Sequence, residues 1–245
     1  MRHALVCGAS SGIGRATAVA LAASGVRVTA LARRADRLHA LAEEIRCEIL
    51  VADLDEHADL LAKVNDLAPF QILINNTGGP KGGPLHAAAA EELRAAFHRH
   101  VLAAHQLTQV ALPHMRDAGF GRIINVLSTS VREPIPNLGV SNTIRAAMAG
   151  WAKTLSRELP PGVTINNVLP GFTDTERLDS LRSGKAAKTS TTEDKVQQAW
   201  MSQVPEGRLI RADETAAAIA FLCSDAGGAV RGVSLPVDGG RLRSI

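Results

Sequence analysis

Gly8-Ala9-Ser10-Ser11-Gly12-Ile13-Gly14-Arg15 follows directly on the apolar run Ala4–Cys7 and opens a helical pattern at 13–24. Glycines in such a place let the chain turn tightly and let a pyrophosphate approach the backbone. The helix N-terminus behind them offers unpaired N–H groups and positive dipole charge. Glycine spacing alone says little. With a strand before it and a helix after it, the segment reads as a dinucleotide-binding turn rather than a merely tight strand-to-helix connection. The expected contacts are Gly8, Ser10, Ser11, Gly12, Ile13 and Gly14.

Outward from this turn, short apolar runs alternate with longer amphipathic ones. Ala4–Cys7, Val26–Leu31, Ile49–Val51, Ile72–Ile74, Ile123–Leu127, Val163–Val168 and Val233–Val237 read as strands. Several lack in/out polar alternation, which fits a sheet covered on both faces. Helical patterns fall at 13–24, 34–46, 56–67, 89–116, 139–159 and 212–224. Regular alternation of this kind implies parallel strands joined by right-handed crossovers. The expected fold is α/β, a Rossmann-type doubly wound parallel sheet of about seven strands with helices on both faces. No linker-like stretch and no repeat divides the chain, so 1–245 is read as one domain. One segment, 174–204, is polar and flexible in composition. Above the sheet's carboxyl edge it is either a substrate lid or an ordinary surface excursion.

Composition narrows the function. Of 245 residues 46% are hydrophobic, enough for a full core, and the net charge is only +3 with basic residues scattered. Aromatics make up 3%, too few for base-stacking platforms, so no nucleic-acid partner is expected. No run approaches the roughly 18 apolar residues of a membrane span, and the N-terminal apolar run is too short for a secretory signal. Three widely spaced cysteines, Cys7, Cys47 and Cys223, suit neither a disulfide framework nor a zinc site, and point to reduced thiols in a cytoplasmic protein. His98, His100 and His105 are poorly spaced for co-ligation, and no metal is expected.

The second strand ends in Leu31-Ala32-Arg33-Arg34. A cofactor with a free 2′-hydroxyl favours an acid about 20 residues beyond the glycines, whereas a cation suits a 2′-phosphate. Arg33 and Arg34 therefore point to NADP(H) over NAD(H), the alternative being a solvated helix start.

In these features the sequence resembles the short-chain dehydrogenase/reductases, and within them the β-ketoacyl-carrier-protein-reductase-like group. The glycine turn, Asp53 and Leu54 after the third strand, Asn75-Asn76-Thr77-Gly78 after the fourth, Pro170-Gly171 with Thr173 and Thr175, and Val237-Asp238-Gly239-Gly240 at the end all match in order. The resemblance implies cofactor contacts by Asp53, Leu54, Asn75, Thr77, Gly78, Pro170, Gly171, Thr173 and Thr175. It also implies a homodimer or homotetramer paired through the helices after the fourth and fifth strands.

The catalytic positions depart from the family. Its members use asparagine, serine, tyrosine and lysine. Here Ser128 falls on the serine, Ser141 on the tyrosine, Arg145 on the lysine and His100 on the asparagine, and the chain contains no tyrosine at all. Ser141 and Arg145 lie four apart, on one helix face. Serine is a far weaker acid than a phenol and has a shorter reach. Arginine stays protonated, but can stabilise an alkoxide or hold a ribose. Losing a positioned general acid costs roughly 10²–10⁴ in rate. His100 is either a substitute proton donor or a helix histidine filling space beside Arg145. Trp151 and Trp200 are expected to pack, the alternative for Trp200 being to close the lid, and Arg208 and Arg211 to face solvent. Arginines that dock an acyl carrier in the resembled group have no counterpart at Gly119, Pro161 or Gly162. Two function classes follow. One is an NADP(H)-dependent oxidoreductase acting on a small-molecule carbonyl or alcohol with a remodelled site, in which Arg145 also contacts the cofactor. The other is an NADP(H)-binding protein without normal turnover.

Overall fold

The computed structural model describes residues 1–67 and 69–244. Its strands are β1 (His3–Cys7), β2 (Arg27–Ala32), β3 (Glu48–Val51), β4 (Ile72–Asn75), β5 (Gly121–Val126), β6 (Val163–Pro170) and β7 (Ser234–Val237). They form one parallel sheet in the order β3-β2-β1-β4-β5-β6-β7. The direction of winding reverses between β1 and β4, which opens a crevice at the carboxyl ends of those strands.

The central strands are largely apolar because both faces of the sheet are covered. Ala4 and Val6 of β1 point into a core with α1 (Gly12–Ala23), α2 (Ala35–Ile45) and α9 (Ala212–Cys223). Leu5 and Cys7 point into the opposite core with α3 (His57–Asn65), α5 (Ala103–Asp117) and α6 (Gly139–Glu158). Each of these side chains is essentially inaccessible to water, and burial on that scale contributes about 1.5–3 kcal/mol for a large aliphatic residue.

Two expectations are corrected. The helix anticipated at 89–116 is α4 (Ala90–Phe97), a π-helical turn (His98–Leu102) and α5. Apolar periodicity cannot reveal the single wide turn, because the pattern continues across it. The segment 174–204, flexible by composition, is instead two helices, α7 (Glu176–Lys188) and α8 (Glu193–Met201). Capping accounts for this. Thr175 Oγ1 accepts from the Leu178 N–H and Thr192 Oγ1 from the Lys195 N–H, each at 3.3 Å. Glu176 and Asp179 in α7, and Glu193 and Asp194 in α8, complement the helix dipoles from the first turn. Leu178, Ala186, Val196 and Trp200 then build a small core of their own. Trp200 is buried there and stacks on Phe172 with ring centroids 4.9 Å apart, so it packs as expected.

Across the middle of the sheet runs a ladder of buried amides. Asn75 Nδ2 donates to Asn125 Oδ1 at 2.9 Å, Asn125 Nδ2 to Asn167 Oδ1 at 2.9 Å, and Asn167 Nδ2 to Ser234 Oγ at 3.0 Å. It ties β4, β5, β6 and β7 together just beneath their carboxyl ends and holds the floor of the crevice level.

Candidate active site

The crevice is a cleft of about 530 Å³. It is lined by Gly8, Ser10, Ser11, Gly12 and Ile13 from the first turn, by Arg33 and Arg34 after β2, and by Asp53 and Leu54 after β3. Thr77 and Gly78 after β4, Ser128 after β5, Ser141 and Arg145 on α6, and Pro170, Gly171, Thr173 and Thr175 after β6 complete the expected set. Sequence positions spread over 167 residues thus meet because every contributing loop leaves the same edge of the sheet.

Three expected residues lie outside the lining. Gly14 is buried behind it, where a β-carbon would run into the Gly8 carbonyl oxygen; its role is to let α1 lie close against the turn. Asn75 belongs to the amide ladder, and its neighbour Asn76 reaches the cleft instead, its Nδ2 donating to the Cys7 carbonyl at 3.3 Å. His100 sits behind the wall, its Nδ1 2.7 Å from Thr77 Oγ1. Burial first, then the nearby Arg145 and Arg99 guanidinium groups, push its pKa down to about 3. The ring is therefore neutral near pH 7, and it packs behind the cleft wall rather than lining it. Its neighbour His98 turns elsewhere, stacking on His57 with centroids 3.6 Å apart.

The residues present fit a phosphorylated dinucleotide. Gly8 and Gly12 both hold positive φ, 64° and 53°, which side-chain-bearing residues rarely adopt. Ser11 makes no side-chain cap, and the first turn of α1 carries no acid, leaving its N–H groups and dipole for an anion. At the β2 end, Arg33 Nη1 lies 3.5 Å from Asp53 Oδ2 with its side chain 71% exposed. Arg34 is held more tightly: its guanidinium donates to Ser10 Oγ, to Ser11 Oγ at 2.6 Å and to Glu176 on α7 at 3.1 Å.

At the opposite end the geometry is built on β5 and α6. Ser128 Oγ accepts from the Ser130 N–H at 3.1 Å, which leaves its own O–H to donate into the cleft. Arg145 is buried, and its Nη1 donates to the Val126 carbonyl at 2.9 Å. Burial, with Arg177 adding repulsion, pushes its pKa down to about 10, still cationic at neutral pH. Sequence reasoning missed Arg99, Glu176 and Arg177, which also line the cleft. Arg99 comes from the π-helical turn and pairs with Asp55, its Nε 2.9 Å from a carboxylate oxygen; the other two come from α7, where nothing in the local pattern marks a site.

A family model described as Enoyl-(Acyl carrier protein) reductase matches residues 8–241. The chain belongs to the short-chain dehydrogenase/reductase family. Among curated members it is 30% identical over 256 residues to the NADPH-dependent reductase BacG of Bacillus subtilis, covering 100% of this chain and 99% of that protein. It is 33% identical to the 3-oxoacyl-(acyl-carrier-protein) reductase FabG of Haemophilus influenzae, covering 97% and 96%. Among solved structures, an actinorhodin polyketide ketoreductase with NADPH superposes with a TM-score of 0.93 at 27% identity, covering 99% of this chain and 98% of that one. In this chain the end of the cleft built on β5 and α6 has Ser128, Ser141 and Arg145, and the sequence contains no tyrosine.

Proposed function

We propose that this protein is an NADP(H)-dependent oxidoreductase of the carbonyl-reductase type, 3-oxoacyl-reductase-like in architecture and remodelled at its acid–base positions. One observation carries the reading. A single cleft holds the phosphate-binding turn, the Arg33–Arg34 pair and, at the far end, two serines with a buried guanidinium. Gly8–Ile13 hold the cofactor pyrophosphate, Asp53 and Leu54 the adenine, Arg33 and Arg34 the 2′-phosphate, and Thr77, Gly78, Pro170, Gly171, Thr173 and Thr175 the nicotinamide half. The bound cofactor supplies the hydride. Ser128 donates its hydroxyl hydrogen to the substrate oxygen. Arg145, fixed through Val126, stabilises negative charge as it develops there and faces the ribose; a donor aimed at such charge is worth roughly 10²–10³ in rate. Ser141 is too short to replace a phenol directly, so the proton arrives from water in the open cleft.

Helices α7 and α8 act as the lid, since Glu176, Leu178 and Leu181 already form one wall. The protein assembles as a homodimer or homotetramer through α4, the π-helical turn and α6, where Phe97 and Leu102 are 41% and 40% exposed beside Leu93 and Ile144. No helix of the described residues is long and apolar enough to cross a membrane. Unpaired Cys7, Cys47 and Cys223 suit a reducing cytoplasm.

The absence of tyrosine favours a second reading, cofactor binding without turnover. The test is incubation of pure protein and NADPH with a panel of ketones, aldehydes and enones. NADPH oxidation that Arg145→Ala abolishes supports the reductase. Silence across the panel with tight NADPH binding supports the second reading, and no affinity for either pyridine coenzyme overturns both.

A further inference from the structure

Five arginines line the cleft, and they divide sharply. Arg33 pairs with Asp53, Arg34 with Glu176, and Arg99 with Asp55. Arg145 and Arg177 have no carboxylate within ion-pair distance among the described residues. Both are tied down by backbone carbonyls instead, Arg145 Nη1 by Val126 and Arg177 Nη2 by Pro80 at 2.8 Å. Their Nη2 atoms converge: each lies 3.5 Å from the point where Gly79 would carry a β-carbon. Gly79 has no side chain, so the two guanidinium groups face each other across its bare backbone at the cleft wall.

We propose that Arg145 and Arg177 form a two-pronged anion subsite that seats the carboxylate of an oxo-acid substrate beside Ser128. This deepens, and rests on, the reductase reading above. Arg145 is buried without a counter-charge, which is costly, and burial, then repulsion from the more exposed Arg177, lowers its pKa. An arriving carboxylate supplies the missing counter-charge. Guanidinium forks match carboxylate geometry, and their charge-assisted bonds are roughly twice as strong as neutral ones. Arg145 is anchored at the β5 side of the cleft through the Val126 carbonyl, two residues along the chain from Ser128. Arg177 stands on the first turn of α7, where its neighbour Glu176 reaches Arg34 and Thr175 abuts Gly12 of the phosphate-binding turn. The anion is assigned to the substrate, and the titration below separates that from a role toward the cofactor phosphates.

The experiment is a calorimetric titration of the NADPH-saturated protein with pyruvate, acetoacetate and levulinate, each against its methyl ester, in wild type and in Arg177→Gln. The ester keeps the carbonyl and removes the charge; the series varies the distance between the two. At least one acid is expected to bind on the order of 10- to 100-fold more tightly than its ester. Arg177→Gln is expected to collapse that ratio, and to weaken the acid far more than it weakens NADPH. Arg177→Lys, which keeps the charge but not the fork, should recover part of it. If acids and esters bind alike to the NADPH complex, or if Arg177→Gln weakens NADPH while leaving the acid-to-ester ratio intact, the anion subsite is refuted and the pair serves the cofactor phosphates. Failure of NADPH itself to bind refutes the underlying reductase reading instead, so the two failures are separable. Folding of the variant is checked by circular dichroism and its thermal midpoint, and Arg177 is an exposed residue on the first turn of α7.

Discussion

Replacing Arg33 with alanine should convert much of the preference for NADPH into indifference. In the free protein Arg33 gives up little: its Asp53 contact is 3.5 Å long, and the side chains are 71% and 33% exposed. Such a pair contributes about 0–1 kcal/mol. A 2′-phosphate carries up to about two negative charges, and in the proposed binding mode it meets the same guanidinium. At about 4 Å and an effective dielectric constant near 20, the gross attraction is about 4 kcal/mol per unit charge. Desolvation and the surrendered Asp53 contact reduce this to the range of a charged hydrogen bond, about 1.5–3 kcal/mol, or roughly 10- to 150-fold in affinity. Arg34 cannot compensate fully, because Ser10, Ser11 and Glu176 already hold it. NADH has a hydroxyl at that place and should change little. The assay is titration of NADPH and NADH against wild type and Arg33→Ala at two ionic strengths. The selectivity should shrink further in high salt, since the Debye length falls from about 8 Å at 0.15 M to about 3 Å at 1 M. An equal loss for both cofactors, or an unchanged ratio, would refute the reasoning.

His100→Asn should flatten the acid limb of the stability profile. Burial holds the folded imidazole near 3, whereas an unfolded histidine titrates near 6.5. Between those values the unfolded chain binds a proton that the folded chain does not, so stability falls as pH drops below about 6.5, by up to about 1.4 kcal/mol per pH unit. Above that range the residue contributes no pH dependence; urea unfolding of both proteins from neutral to mildly acidic pH checks this, identical slopes counting against it. Asn125→Leu cuts the amide ladder in the middle, leaving Asn75 Nδ2 without its acceptor and Asn167 Oδ1 without its donor. At about 1–3 kcal/mol for each of the two unsatisfied buried groups, the loss in denaturant unfolding should be about 2–6 kcal/mol, and a neutral result would show that the ladder relaxes onto water.

Much of the site was legible because it is written locally. Gly8, Gly12 and Gly14 are required by the turn itself, Arg33 and Arg34 stand at a strand end, and Ser141 and Arg145 lie one turn apart on a helix. Apolar periodicity alone places the ends of α1, α2, α3, α6 and α9 within one or two residues. The π-helical turn escaped because one wide turn does not interrupt an apolar stripe. Helices α7 and α8 escaped because their stability comes from capping threonines and a core of only a few residues, both invisible in a polar composition.

The strand–helix alternation, the glycine turn after the first strand and the absence of a phenol were settled by the chain alone, since each depends on residue types at short spacing or on a count. Burial and convergence were not. Whether His100 is charged depends on the wall packed around it. Whether Arg145 stands alone depends on Arg177, 32 positions away on α7, being brought to the same side of Gly79. Charge balance inside a cleft is a sum over neighbours in space, and only the folded sheet decides which neighbours those are.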